Sequence, residues 1–277
     1  MTEPMPRLFA ADLIAALGLP PAAMVNQRVP KKMLAENGAS TVADRKLIQD
    51  HIEEITWVAA LKPASAGVLE YKDDQRIYLE LAVLCVTLRS DEKTNGQLDT
   101  KSAKVSRIAE LLHRAIPYPL ALLLDDGNNL FMSLVHIRWA QKEADKTVLD
   151  GELLLAMLAL PFSGDVGDGA IDARADFLSS LALSKQPRHD LRALYQGWMD
   201  TLSAWQAAAV TGRFVPSQSP AQAAERRAAL HRCRELDAQI ASLRLAAGKE
   251  KQMARQVAAN LEIKALLAER QQVAASL

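Results

Sequence analysis

Residues 116–140 read IPYPLALLLDDGNNLFMSLVHIRWA. Pro117 closes whatever helix precedes it, and Pro119 opens a strand at a position where a missing N–H is tolerated. LALLL is the unbroken apolar run of a strand buried on both faces. Asp125, Asp126, Gly127, Asn128 and Asn129 accept turn conformations, so the chain reverses and returns as LFMSLVHIRW, a β-hairpin.

Upstream, Val105, Ile108, Leu112 and Ala115 recur at helical spacing, and two β-like runs precede them: ITWVAALK at 55–62 and RIYLELAVLCVTLRS at 76–90. In the second run Leu79, Leu81, Val83 and Cys85 are expected on one face, with Tyr78, Glu80, Ala82 and Leu84 on the other. Earlier still, Leu8, Ile14 and Leu17 mark a short helix stopped by Gly18 and Pro20–Pro21. Gly38 ends a helix that starts near Pro30, and Thr41 caps the next with Asp44 in the box position. The order helix, two strands, helix, two strands predicts an α+β fold, a mixed or antiparallel sheet covered by helices. LDGELLLAMLALPF, residues 149–162, fits either a strand or a short helix.

SGDVGDG (163–169) reads as a linker. Beyond it come helices carrying Ile171, Ala175, Leu178 and Leu181, then Leu191, Leu194, Trp198, Leu202 and Trp205, broken by Gln186–Pro187. After FVPSQSP the pattern becomes two long helices: Leu230, Cys233, Leu236, Ile240 and Leu243, then Met253, Val257, Leu261, Leu266 and Val273, with Ala246–Ala247–Gly248 as the expected turn. This is an antiparallel hairpin of coiled-coil type. The expected domains are an α+β domain over 1–163, a helical segment over 164–216 and the hairpin over 217–277.

The 277 residues carry 33 Lys and Arg against 33 Asp and Glu, so no global field draws the molecule to nucleic acid or membrane. The balance hides an asymmetry: residues 221–277 hold ten bases and six acids. Arg226, Arg227, Arg232 and Arg234 cluster at the start of that stretch, and Arg28, Lys31 and Lys32 crowd around Pro30 in VNQRVPKK. Both groups are candidates for binding nucleic acid or an acidic partner. Leu236, Ile240, Leu243, Val257 and Leu261 form the candidate interaction seam. Cys85 and Cys233 lie far apart and read as reduced thiols, and the longest apolar run is too short to span a bilayer; a cytoplasmic protein with no membrane partner is expected.

Chemistry is harder to find. There is no CxxC or HExxH, and the five histidines are scattered, so no metal site is expected. Gly248–Lys249 lacks the earlier glycine of a phosphate loop, and SGDVGDGA lacks the strand and ribose-binding acid of a dinucleotide site; no cofactor is expected. A restriction-type nuclease needs paired carboxylates for a divalent ion with a lysine nearby. Glu70, Lys72, Asp74 and Glu80 offer an incomplete version of that set, because Leu81–Ala82 stands where the lysine after Glu80 belongs. Asn26, Glu53, Glu80 and Tyr118 are a candidate polar site, Glu80 because an acid among apolar strand residues needs a partner or water.

VNQRVPKK, IEEITWVAALKP, YLELAVLCVTLR, IPYPLALLL and KEKQMARQVAANLEIKALLAE resemble, over about 7–145 and 245–270, a bacterial family of unassigned function. Its members are often encoded beside DNA methyltransferase and helicase genes in restriction-like or phage-defence operons. Asn26, Arg28, Pro30, Lys31, Lys32, Glu53, Trp57, Glu80, Pro117, Tyr118 and Pro119 match the pattern; Ala82 departs from it where the family shows a polar amide. The resemblance brings no catalytic residues. It implies a setting rather than a mechanism; with the exposed-looking seam and no catalytic constellation in the sequence, the expectation is a non-catalytic accessory or scaffold subunit of such an assembly that binds a helicase or DNA methyltransferase subunit, a second copy of itself or DNA. The alternatives are a metal-dependent nuclease of restriction-enzyme type and a DNA-binding adaptor.

Overall fold

The computed structural model describes residues 7–89, 98–140, 146–159 and 168–277. Helix α1 (Ala10–Ala16) ends before Gly18, whose φ of 60° only glycine adopts without cost. A 3-10 turn at Pro21–Ala23 leads into strand β1 (Met24–Arg28). Sequence reasoning missed this strand, because its side chains are nearly all exposed and show no alternation. Helix α2 (Lys31–Gly38) and helix α3 (Val42–His51) follow. The cap of α3 forms as its sequence dictates: the Asp44 N–H donates to Thr41 Oγ1 at 3.1 Å, and the Thr41 hydroxyl donates to Asp44 Oδ2 at 2.9 Å.

Strand β2 (Ile52–Leu61) runs antiparallel to β5 (Leu81–Leu88). Between them lie a short helix α4 (Pro63–Ala66) and a separate two-stranded ribbon, β3 (Tyr71–Lys72) with β4 (Ile77–Tyr78). The run 76–90 is therefore two strands. Tyr78 belongs to the ribbon, the chain breaks at Leu79–Glu80, and only from Leu81 does the expected alternation hold.

Helix α5 (Leu98–Ala115) carries the chain across to β6 (Leu120–Asp125), parallel to β5; β7 (Leu130–Trp139) returns antiparallel as the predicted hairpin. The ambiguous stretch resolves as strand β8 (Thr147–Met157), antiparallel to β7. Six strands thus form one mixed sheet in the order β1-β2-β5-β6-β7-β8. On one face Leu84, Val86, Leu122, Leu124 and Phe131 pack with Leu34, Ile48, Ile108 and Leu112 of α2, α3 and α5 in one buried cluster. Burying such a side chain is worth about 1.5–3 kcal/mol, so this layer supplies much of the drive to fold.

Helix α6 (Asp168–Leu181), a 3-10 turn at Leu183–Lys185 and helix α7 (Leu191–Thr211) follow, then α8 (Pro220–Lys249) and α9 (Met253–Ala274). Most of the expected linker, 163–167, lies outside the described residues. Contact density divides the chain into two compact units, 1–160 with 174–202 and 161–173 with 203–277, so the division runs through the helical segment 164–216.

Helices α8 and α9 pack against each other. Their turn is Glu250–Gln252, later than Ala246–Ala247–Gly248: Gly248 stays helical, and the Glu250 carboxylate accepts the Gln252 N–H at 2.8 Å. Leu230, Cys233, Leu236 and Ile240 of α8 are buried, with Leu243 half-buried. On α9 the inner row is Ala259, Ile263, Leu266, Arg270 and Val273; Met253, Val257 and Leu261 lie on the other side, 79%, 53% and 64% exposed. The expected α9 stripe mixed the two faces, since both are apolar.

Candidate functional site

The ribbon β3–β4 builds a polar centre that sequence reasoning missed. Its turn is tied by Asp73, whose Oδ1 accepts the N–H groups of Gln75 and Arg76 at 2.8 and 2.6 Å, while the Tyr71 hydroxyl donates to Oδ2 at 2.7 Å. These donors, Tyr71 first, hold the Asp73 carboxyl down at about 2. Arg76 then reaches Asp150 of β8, Nε to Oδ2 at 2.7 Å, with Arg138 of β7 at 3.7 Å on the other oxygen. The Trp139 N–H donates to the Gln75 carbonyl at 2.8 Å, so the ribbon is anchored on β7 and β8.

Beneath it Tyr78 is fully buried, its hydroxyl 2.5 Å from His136 Nδ1; His136 Nε2 lies 2.8 Å from Gln196 Oε1 on α7, and Gln196 Nε2 donates to Asp200 at 2.8 Å. Asp200 accepts, which fixes the Gln196 amide with its oxygen toward His136. His136 is therefore protonated on Nε2, and its bare Nδ1 accepts from Tyr78. Burial lowers the His136 pKa, consistent with a neutral ring, and pushes the Tyr78 phenol well up. Both ring nitrogens are committed. Tyr78 is wholly enclosed, and the chain of bonds pins α7 to the sheet.

Tyr195, one residue before Gln196, acts alongside. The β6–β7 ladder ends at Leu122–Ser133, and at the next level the Tyr195 hydroxyl accepts the Val135 N–H at 3.0 Å and faces the Leu120 carbonyl at 2.8 Å and the Val135 carbonyl at 3.1 Å. The signal for this centre was the coincidence of Tyr78, His136 and a Tyr–Gln pair. These residues are separated by about 60 positions, and no local pattern links them.

The residues singled out from sequence are dispersed. Glu80 lies 3.7 Å from Lys62 beside the start of β5, the same end as Tyr118, whose ring is 6.3 Å from Trp57. Arg28, Lys31 and Lys32 sit toward the opposite end: Arg28 pairs with Thr56, and the Lys31 ammonium donates to the Ile52 carbonyl, where Ile52 faces Leu88 at the end of β5. Seven residues of strand separate the two ends, roughly 20 Å. Glu53 is exposed at the far end, and Asn26 holds the irregularity of β1 with φ 49°. The basic corner is partly neutralised within the chain, Arg28 by Glu54 at 3.5 Å and Lys32 by Glu36 at 3.9 Å.

Glu70, Lys72 and Asp74 are all exposed around the ribbon, and Glu80 is turned to Lys62. Among the described residues no three His, Cys, Asp or Glu side chains gather in a way that would hold a metal ion. The hairpin arginines are differently placed. Arg226 is buried and donates to Ser217 at 2.7 Å, Arg232 binds Glu269 of α9 at 2.6 Å, and Arg227 and Arg234 are left nearer the surface. Beside Arg226 in the second unit lies a cavity of about 310 Å³ lined by Ala204, Thr211, Arg213, Val215 and Leu277.

Residues 17–269 match the family described as Domain of unknown function (DUF4391). The chain belongs to that family. The DUF4391 match takes in both the polar centre and most of the hairpin, and it includes residues 165–215, which the resemblance read from sequence left out. No curated protein and no solved structure matches the chain. Among the described residues of this DUF4391 protein, no helix is long and apolar enough to cross a membrane.

Proposed function

We propose that this DUF4391 protein is a non-catalytic, cytoplasmic accessory subunit of a bacterial phage-defence or restriction-modification-like assembly, and that its α8–α9 hairpin is the element that joins it to other polypeptides. The observation that carries this reading is the outer face of α9. Met253, Val257 and Leu261 are 79%, 53% and 64% exposed along one side of a helix whose opposite side already packs on α8. A helix apolar on two faces buries one in its own fold and keeps the second for a partner.

The polar centre supports the non-catalytic part, since the hydroxyl that His136 accepts belongs to Tyr78, which is wholly buried and held protonated. A nuclease built on Glu70, Lys72, Asp74 and Glu80 has no comparable geometric support. A DNA-binding adaptor using Arg28, Lys31 and Lys32 is the weaker alternative, because each of the three cations has a partner within the chain.

The test is co-expression of the tagged chain with a helicase subunit and a DNA methyltransferase subunit of such an assembly. Capture of either subunit by the wild type, lost on Val257→Glu with Leu261→Glu, is the expected result. Capture of neither, or capture unchanged by the pair of substitutions, overturns the proposal.

A further inference from the structure

We infer that the cavity beside Arg226 is a binding site for a small organic monocarboxylate, its acid group held by Arg226 and Arg213 and its hydrocarbon body by a wall of alanines. The site lies within the second unit, at the end of α9 remote from Met253, Val257 and Leu261, and owes nothing to that outer face.

The space exists because small residues meet there. Ala204 and Ala207 of α7 and Ala274 and Ala275 at the end of α9 line a cavity of about 310 Å³, and a leucine at any of the four would take up part of it. With about 30 Å³ for each water-sized group, the cavity has room for a ligand of roughly ten non-hydrogen atoms. Ala204, Ala207 and Arg226 are buried and form its floor, whereas Arg213, Val215 and Ala275 are exposed, so its mouth reaches solvent.

Charge selects the class of ligand. Two guanidinium groups line the cavity, and among the described residues that line it no side chain is acidic. Arg226 is 5% exposed, and its Nη1 donates to the Ser217 hydroxyl at 2.7 Å, which fixes the guanidinium plane. A guanidinium carries five N–H donors, enough to hold Ser217 and an oxyanion together. Arg213 is set at the mouth by the end of α7. Gly212 turns the chain with φ 77°, its N–H donating to the Ala208 carbonyl at 2.8 Å, and the Arg213 N–H then donates to Thr211 Oγ1 at 3.4 Å. The Thr211 hydroxyl lies 3.0 Å from the Ala207 carbonyl and serves its own helix, which leaves recognition to the arginines.

A carboxylate presents two oxygens in the plane of a guanidinium fork. The alanines, Val215 and Leu277 favour a hydrocarbon chain behind it, because burying that chain removes apolar surface from water on both sides. Inorganic phosphate satisfies the charge and leaves the aliphatic wall wet. An alkylammonium ion of the same length fits the wall and is repelled by both arginines.

Isothermal titration of the full-length chain with octanoate tests this, with octylammonium and inorganic phosphate as the comparison ligands. Saturable binding of one octanoate is expected, and no binding of the other two. Ala274→Leu fills the cavity from a half-buried position and should abolish octanoate binding. Arg213→Gln, at an exposed position, should weaken it roughly tenfold. Neither variant replaces a buried side chain, so both should keep the circular dichroism of the wild type. Absence of saturable octanoate binding overturns the inference, as does comparable binding of octylammonium or phosphate, or an octanoate affinity that either substitution leaves unchanged.

Discussion

The Arg107 guanidinium holds the Asp44 carboxylate with two nitrogens, Nε to Oδ1 at 3.0 Å and Nη2 to Oδ2 at 2.8 Å, and so ties α3 to α5. With Thr41 also donating, the Asp44 carboxyl lies below its ordinary value of 3.8, the Arg107 hydrogen bonds being the largest cause. A depressed carboxylate contributes stability that is complete above 3.8 and is lost as pH falls through the folded-state value. Asp44→Asn should lower the urea midpoint at neutral pH. Below pH 3.8 its curve should converge on the wild type; parallel curves across that range would show the pair to be inert.

His113 of α5 is fully buried, with Nε2 3.0 Å from the Ser133 hydroxyl of β7, and burial pushes its pKa down from 6.5 to about 3. The folded chain refuses a proton that the unfolded chain accepts below 6.5. Stability should therefore decline as pH falls from 6.5 toward 3, by up to ~1.4 kcal/mol per pH unit. His113→Leu with Ser133→Ala removes both polar groups, and denaturation curves between those pH values should lose this part of the slope.

Tyr195→Phe deletes a hydroxyl that serves three backbone groups of β6 and β7. Leaving such groups buried and unpaired should cost ~1–3 kcal/mol in chemical denaturation. Amide exchange at Val135 should accelerate more than exchange in β2.

A methyl group on Gly38 would lie 2.5 Å from the Leu111 carbonyl oxygen and 2.7 Å from Ala115 Cβ, where α2 crosses α5. Gly38→Ala must push the helices apart and should destabilise by ~1–3 kcal/mol in a thermal melt. Gly248→Ala is the matched control: nothing lies within 4 Å, and inside α8 the change should stabilise by ~1 kcal/mol.

Much of the fold was legible because its signals are local. Thr41 and Asp44 cap α3 within four residues, Pro117 and Pro119 fill the gap between α5 and β6, and the Asp-Gly-Asn turn closes the β6–β7 hairpin. Less of the site was legible. Glu80 and the basic corner both stood out in the sequence, yet they occupy different ends of the sheet. The residues that do converge, Tyr78, His136 and Gln196, lie on three elements and bear no motif.

Sequence alone determined most of the order of helices and strands, β1 and the β3–β4 ribbon excepted, since caps, breakers and periodicity act over a few residues. The folded chain decided which of two apolar faces of α9 turns inward, because both satisfy the helical repeat and only packing against α8 distinguishes them. It also decided that Arg232 belongs to Glu269 rather than to solvent. A charge announces its presence in a sequence, but its partner is fixed only when packing brings distant segments within hydrogen-bond reach.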